Sequence, residues 1–80
     1  MTIKIYTTTT CPYCTMAKSY LKKKGVRFEE LNVGKDARAA NEMVAKSNQM
    51  GVPVLDINGS IIVGFDRDGI DRALEKTVDG

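Results

Sequence analysis

A two-residue turn signal late in the chain places the tightest constraint on the fold. Asn58-Gly59 separates two short, mainly apolar segments, residues 54–57 and 60–63. An Asn-Gly pair between such segments is the strongest short-range signal for a β-hairpin. The two segments are therefore predicted to be antiparallel neighbours in one sheet.

The first half of the chain alternates strand and helix signals. Residues 3–6 predict a strand, and residues 26–33 predict a second strand. Between them, a helix is expected to begin at Pro12, since proline is preferred at the first helical position, and to end before Gly25, which suits the C′ position. A strand, a helix and a strand within so few residues predict a parallel pair with a right-handed crossover.

Apolar spacing predicts which helix faces turn inward. In the first helix the predicted inward residues are Tyr13, Met16, Ala17, Tyr20 and Leu21. In a second helix, over residues 36–47 and ended by Asn48 and Gly51, they are Ala40, Met43, Val44 and Ser47. In a third helix, capped by Asp68, they are Ile70, Ala73, Leu74 and Val78. The second strand has Val26, Phe28 and Leu31 as its apolar content, with an imperfect phase around Glu29 and Glu30.

The predicted element order is β-α-β-α-β-β-α. This order gives an α/β fold with a four-stranded mixed sheet, whose three helices share its two faces in a thioredoxin-like layout. A chain of 80 residues has room for one domain, so residues 1–80 are expected to form a single unit.

Composition excludes several functional classes. Hydrophobic residues make up 42% and charged residues 28%, and the net charge of +2 is spread without a basic stripe, which argues against nucleic-acid binding. No apolar run is long enough for a membrane span or a signal peptide. Two cysteines three residues apart suit a reactive pair in a reducing compartment. We therefore expect a cytoplasmic monomer whose partners are small molecules or proteins.

A run of three lysines, Lys22, Lys23 and Lys24, ends the first predicted helix. Positive charge is favourable at the carboxyl end of a helix dipole. The run therefore indicates a solvated helix end, with a docking patch as the alternative interpretation.

The chemistry is expected at Cys11 and Cys14, which stand at positions i and i+3 across a helix start. If Pro12 is the first helical residue, Cys11 occupies the cap, where its sulfur faces the unpaired N–H groups of Tyr13 and Cys14. These donors and the helix dipole lower the pKa of a thiol in that place. Cys11 is thus the predicted attacking thiolate, and Cys14, one turn inside, is the predicted resolving thiol.

Two other uses of the cysteine pair were weighed. A structural disulfide is a poor interpretation, because a bridge that closes so short a loop constrains the unfolded chain little. A zinc or iron–sulfur site needs four ligands, whereas one chain offers two sulfurs and no histidine. A dimer or an added thiol would have to complete such a site, so we predict no resident metal.

Three motifs in order make the chain similar to the glutaredoxin family over nearly its whole length. They are Cys11-Pro12-Tyr13-Cys14, Val52-Pro53 and Gly64-Phe65-Asp66. The resemblance implies that Pro53 is cis and lies beside the active cysteine, and that the backbone of Val52 pairs with the substrate's cysteine residue.

The resemblance also implies a glutathione site. The turn formed by Gly64, Phe65 and Asp66 would hold the γ-glutamyl end, and Pro12 and Tyr13 join the predicted binding residues. Without the resemblance, Pro53 would be an ordinary proline at a strand start and Asp66 a plain helix cap.

The sequence departs from the family pattern at four positions. Most glutaredoxins have a lysine three residues before the first cysteine, where it meets the glycyl carboxylate of glutathione, and this chain has Thr8. Gly51 stands in place of a threonine, Val63 in place of a glycine and Arg67 in place of an aspartate. A hydroxyl cannot supply the missing charge, so we expect weak but measurable use of glutathione.

The predicted function is thiol-disulfide oxidoreduction. The chain would reduce protein or glutathione-mixed disulfides through a Cys11-linked intermediate that Cys14 or glutathione resolves, with no tightly bound cofactor and with glutathione as co-substrate. Gly64-Phe65 is also similar to the glutaredoxin-like electron donors of ribonucleotide reductase, although their Trp-Ser-Gly-Phe-Arg-Pro signature is absent. The alternatives are therefore a donor reduced by thioredoxin reductase, or a dimer that binds an iron–sulfur cluster through Cys11 and glutathione. Pro12 argues against the cluster, since cluster-binding relatives often have another residue there.

Overall fold

The structure is a computed structural model that describes residues 2–78, with side chains described through residue 76. The elements, in chain order, are β1 (Ile3–Thr7), α1 (Pro12–Lys23), β2 (Glu29–Asn32), α2 (Ala37–Ser47), β3 (Val54–Ile57), β4 (Ser60–Val63) and α3 (Arg67–Val78). The predicted order β-α-β-α-β-β-α and the thioredoxin-like α/β class are confirmed. None of the described helices has the length and hydropathy needed to cross a membrane.

The four strands form one mixed sheet in the order β2-β1-β3-β4. The central strand β1 pairs parallel with β2 and antiparallel with β3, and β3 pairs antiparallel with β4. At the hairpin, Asn58 and Gly59 have φ angles of 51° and 98°. Positive φ at both central residues is what the predicted tight turn requires.

Apolar side chains cover both faces of the sheet because successive strand residues point to opposite sides. On one face Ile5 and Leu55 belong to a buried cluster that also holds Leu21 of α1 and Ile70 of α3. A separate cluster joins Tyr6, Val54 and Met43 of α2. The helices α1 and α3 therefore share one core cluster, and α2 packs in the other.

The predicted inward face of α1 is wrong at its first turn. Tyr13 and Met16 are 62% and 47% exposed, whereas the buried residues are Cys14, Ala17 and Leu21. These three positions follow one stripe of a 3.6-residue helix, and Tyr13 and Met16 each stand one residue, or about 100° of rotation, before a member of that stripe. Cys14, treated in the sequence as reactive, is also a core residue.

The second strand and the buried face of α2 also differ from the sequence prediction. The second strand covers only Glu29–Asn32, although Val26 and Phe28 still pack against the core from outside it. In α2 the buried residues are Ala39 and Met43, and Val44 is 37% exposed, so the buried stripe lies one residue earlier than predicted.

The third helix begins at Arg67, two residues earlier than a cap at Asp68 would give. Asp66 accepts a hydrogen bond at Oδ1 from the backbone N–H of Gly69 at 3.1 Å, while Asp68 lies in the first turn. Ile70, Ala73 and Leu74 are buried as predicted. The side chain of Val78, the fourth predicted inward residue, lies outside the described residues.

A charged network that the sequence did not predict connects α2 to the sheet. Lys46 donates from Nζ to Asp56 Oδ2 at 2.6 Å and to the Tyr6 hydroxyl at 2.9 Å, and it pairs with Glu42 Oε1 at 3.1 Å. Burial opposes ionisation of Asp56, but hydrogen bonds from Lys46 and from the Gly59 backbone lower its pKa below the ordinary value. The hydrogen bond from Lys46 is also the main cause that lowers the pKa of Glu42. The network therefore stabilises α2 on the sheet while these carboxylates are ionised.

Candidate active site

Cys11 is the N-cap residue of α1, as the position of Pro12 predicted. Its backbone is extended, with φ −130° and ψ 102°, and its sulfur accepts a hydrogen bond from the backbone N–H of Cys14 at 3.1 Å. The N–H of Tyr13, also predicted to face the sulfur, is not among the sulfur's hydrogen-bond donors in the described part of the chain. Thr15 donates its backbone N–H to the Cys11 carbonyl at 3.2 Å, which closes the first helical turn behind the sulfur.

The two cysteines differ strongly in exposure. They form a disulfide, with their Cα atoms 5.2 Å apart. Cys14 is 1% exposed, while Cys11 is only partly buried. The pair is therefore asymmetric, because Cys11 lies partly at the surface and Cys14 lies in the core.

The bond between Val52 and Pro53 is cis, as the family resemblance implied. The β1–β3 register pairs Tyr6 with Val54. The start of β3 therefore lies at the sheet edge where β1 ends and the loop toward Cys11 begins. Sequence-distant segments thus converge at this edge, beside the helix start.

The turn after β4 joins the same region. Gly64 donates its backbone N–H to the Pro53 carbonyl at 2.7 Å and has a φ of +81°, a conformation that glycine adopts without strain. Two of the predicted binding segments, Val52-Pro53 and Gly64–Asp66, are therefore adjacent. Phe65 is partly buried in the packing of this turn, with its ring edge-on to Tyr20 at 5.9 Å between centroids.

Asp66 has the role of a helix cap in the structure. Its carboxylate accepts from the Gly69 N–H, and it also lines a surface groove with Met16, Phe65 and Arg67. The interpretation of Asp66 as an N-cap residue is thus confirmed, and its charge remains accessible beside the predicted binding turn.

Two residues in the loop before Val52 had no predicted role and lie next to a predicted binding segment. Met50 is 81% exposed, and an apolar residue between a helix stop and a Val-Pro pair was the available signal. Gln49 accepts the Gly51 N–H at 2.6 Å and donates back to the Gly51 carbonyl at 3.0 Å. A Cβ atom on Gly51 would stand 2.8 Å from Gln49 Oε1, so the glycine makes room for this brace.

Potential metal ligands do not cluster in the part of the chain that the structure describes. No group of three or more histidine, cysteine, aspartate or glutamate side chains is arranged there to hold an ion. Within one described chain, Cys11 and Cys14 supply two sulfurs, and these are bonded to each other.

A cysteine pair at a helix start on a thioredoxin-like sheet that also has a cis proline before β3 defines a thiol-disulfide oxidoreductase. The Glutaredoxin family model matches residues 3–62 of the chain. The chain belongs to the glutaredoxin family.

Individual relatives agree with this assignment. A glutaredoxin-like 8.6 kDa protein in the rubredoxin operon of Clostridium pasteurianum is 50% identical over 74 residues, which cover 92% of this chain and 99% of that protein. Glutaredoxin 3 of Escherichia coli K12 is 39% identical over 80 residues, covering 91% of this chain and 96% of that one. Among solved structures, the glutaredoxin-like NrdH-redoxin of Escherichia coli superposes with a TM-score of 0.81 at 32% identity, covering 90% of this chain and 93% of that chain.

Proposed function

We propose that the chain reduces protein disulfides and glutathione-mixed disulfides through an intermediate on Cys11. The observation that carries the proposal is the asymmetry of the pair. Cys11 is partly exposed at a helix cap and accepts the Cys14 N–H at 3.1 Å, while Cys14 is 1% exposed. A thiolate is favoured at the first place and a protected thiol at the second.

The proposed reaction has two exchange steps. The Cys11 thiolate attacks one sulfur of the substrate disulfide, the substrate S–S bond breaks, and the other substrate sulfur leaves as a thiolate that takes up a proton. Cys14, once deprotonated, then attacks the Cys11 sulfur and releases the second substrate thiol. Two electrons pass from the cysteine pair to the substrate, and the Cys11–Cys14 disulfide is the oxidised product. With a glutathione-mixed disulfide, free glutathione can resolve the intermediate instead of Cys14: its thiolate attacks the sulfur of the glutathione bound to Cys11, Cys11 leaves as a thiolate, and glutathione disulfide is the oxidised product.

We assign binding roles to the residues around this pair. The Val52 backbone would pair with the substrate's cysteine residue beside Pro53, and Gly64, Phe65 and Asp66 would hold the γ-glutamyl end of glutathione. Support comes from the Gly64-to-Pro53 hydrogen bond of 2.7 Å, which joins the two segments. Pro12 and Tyr13, between the cysteines, would line the bound sulfur, and the 62% exposure of Tyr13 leaves its ring available to a ligand.

Glutathione is proposed as a weak co-substrate. Position 8 holds a threonine, which lacks the cation that would pair with the glycyl carboxylate, and Arg67 brings a positive charge near the place of the γ-glutamyl ammonium. Asp66, Asp68 and the α3 N-terminus remain to hold the two charged groups of that end. We propose that the activity operates in the cytoplasm, with the chain as a monomer.

A second candidate is an electron donor that thioredoxin reductase reduces. The observation that favours it is the structural similarity to NrdH-redoxin, a glutaredoxin-like protein described as having a thioredoxin-like activity profile. The absence of a lysine at position 8 fits this candidate as well, because it weakens glutathione binding.

One assay separates the two candidates. The oxidised protein is mixed with a disulfide substrate and supplied either with glutathione and glutathione reductase, or with thioredoxin reductase, while NADPH consumption is followed. Faster turnover with glutathione and glutathione reductase supports the first candidate, and faster turnover with thioredoxin reductase assigns the second. The Cys11→Ser variant is the control in both arms, and any remaining turnover in it would contradict the proposed role of Cys11.

A further inference from the structure

An apolar groove between α1 and the turn that leads into α3 begins one helical turn from Cys11. Met16, Tyr20 and Phe65 form its floor, and its volume is about 380 Å³. Thr15 lines the near end, and its hydroxyl lies 3.4 Å from the Cys11 carbonyl oxygen that it donates to. The near end of the groove therefore lies one helical turn from Cys11 along α1.

The floor of the groove is held in place before anything binds. The Tyr20 hydroxyl donates to Asp71 Oδ1 at 2.6 Å, and the Tyr20 ring meets Phe65 edge-on at 5.9 Å. The Lys24 ammonium lies 5.2 Å from the centre of the same ring. Because these contacts already fix the aromatic side chains, an incoming apolar group would order little of the protein on binding.

The rim of the groove is positively charged. Lys23 and Arg67 line it, and neither has an ion pair or a side-chain hydrogen bond among the described residues. The neighbouring Lys24, by contrast, is paired with Asp71 at 3.4 Å. Two acidic residues, Asp66 and Asp68, line the adjoining groove on the far side of Arg67, so the unbalanced positive charge lies at the Lys23 end.

We propose that this groove docks an acidic, apolar segment that flanks the disulfide of a protein substrate. The apolar side chains of the segment would cover Met16, Tyr20 and Phe65, and its carboxylates would meet Lys23 and Arg67. The proposal rests on the proposed function, because it names the substrate class of the same active site. Complementary charge of this kind selects partners and speeds their encounter more than it adds affinity.

Two synthetic peptides test the proposal. They share one internal disulfide and the same apolar residues beside it, and they differ in their flanking residues, which are glutamates in one peptide and lysines in the other. At low salt the protein is expected to reduce the acidic peptide with a kcat/KM about 3- to 10-fold higher than that of the basic peptide. The difference is expected to shrink at high salt, because exposed charges are screened.

Matched charge variants locate the effect. Lys23→Glu is expected to abolish or invert the preference for the acidic peptide and to leave the reduction of a small uncharged disulfide unchanged. Lys22→Glu makes the same change of charge on the adjacent residue, which does not line the groove, and should keep most of the preference. Met16→Ser, at an exposed position, is expected to lower kcat/KM for both peptides. Equal peptide preferences in wild type, Lys23→Glu and Lys22→Glu would overturn the proposal.

A binding measurement separates docking from catalysis. Fluorescent versions of the two peptides, with serine in place of cysteine, are titrated with the oxidised protein and followed by anisotropy. Tighter binding of the acidic version supports docking if Lys23→Glu removes the difference between the two peptides. If this binding is seen but no disulfide is reduced, docking stands and only the proposed function fails. The proposal would be overturned if neither peptide binds and the protein instead forms a concentration-dependent dimer that Lys23→Glu dissociates. That result would assign the groove to a second copy of the chain.

Discussion

The backbone N–H of Cys14 points at the sulfur of Cys11 across 3.1 Å, so the buried cysteine supplies a hydrogen-bond donor to its partly exposed partner. When the disulfide opens, the same donor and the amino end of α1 favour a thiolate at Cys11. Cys14 is 1% exposed, and burial in apolar surroundings favours its neutral thiol. The two sulfurs therefore differ in exposure and in hydrogen bonding, and this difference is the basis of the separate tasks that we propose for them.

Substitution of each cysteine is expected to separate those tasks. Cys11→Ser should abolish every disulfide-exchange activity, whereas Cys14→Ser should keep attack on a glutathione-mixed disulfide and lose reduction of protein disulfides that needs both thiols. Alkylation of the reduced protein at about pH 6, followed by mass spectrometry, measures the order of reactivity. Faster labelling of Cys14 than of Cys11 would show that the assignment is reversed.

Position 8 is expected to limit the use of glutathione. Thr8→Lys restores a cation for the glycyl carboxylate, and a charge-assisted hydrogen bond of that kind contributes roughly 1.5–3 kcal/mol. The affinity for glutathione should therefore rise by about one to two decades, and glutathione-dependent turnover should rise with it. The pKa of Cys11 should fall through Coulomb attraction.

Thr2→Lys provides the control for position 8. It makes the same change at an exposed residue at the opposite end of β1. It should leave both the turnover and the pKa of Cys11 as they are. If Thr8→Lys behaves like Thr2→Lys, position 8 does not face the site, and the alignment of this loop with the family is wrong.

Asp66 is expected to serve both the helix and the ligand. Asp66→Ala removes the acceptor for the Gly69 N–H and should lower the free energy of unfolding by about 1 kcal/mol in urea denaturation. Asp66→Asn keeps a good cap and removes the charge, so it should retain most of the stability. Both variants should raise the KM for glutathione. An unchanged KM in the stable Asn variant would restrict Asp66 to capping.

The network around Lys46 is expected to make stability depend on acid. Lys46→Met removes the hydrogen bonds to Asp56 and Tyr6. The free energy of unfolding at neutral pH should fall by about 1–3 kcal/mol. Because the Lys46–Asp56 ion pair is partly exposed, we expect a loss toward the low end of this range. Lys35→Met, at an exposed lysine, is the matched control and should change stability little.

The sign of the pH effect follows from the lowered pKa values of Asp56 and Glu42. Groups with a lower pKa in the folded state stabilise it above their unfolded pKa, and this contribution is lost as the pH falls below about 4. Wild type should therefore lose more stability between neutral pH and pH 2 than Lys46→Met loses. Parallel curves for the two proteins, from urea unfolding at several pH values, would contradict this account.

Features set by neighbouring residues could be predicted from the sequence. The Asn58-Gly59 turn needs only two residues that tolerate positive φ between two apolar runs, and the Cys11 cap needs only Pro12 at the first helical position. The cis bond at Pro53 is different, because the family resemblance carried that prediction. The inward face of α1 was mispredicted, since periodicity alone does not reveal that Cys14 belongs to the core.

Local chemistry in the sequence thus determined the element order, the hairpin and the reactive cysteine pair, because each depends on residues within about one turn of one another. Tertiary structure alone decided which distant residues meet. Lys46 donates a hydrogen bond to Tyr6, which lies 40 positions away in the sequence. Tyr20 donates one to Asp71, which lies 51 positions away. The groove likewise exists only because α1 and α3 pack side by side on one face of the sheet. Such contacts depend on how whole elements pack against one another, and local periodicity does not indicate which helices become neighbours.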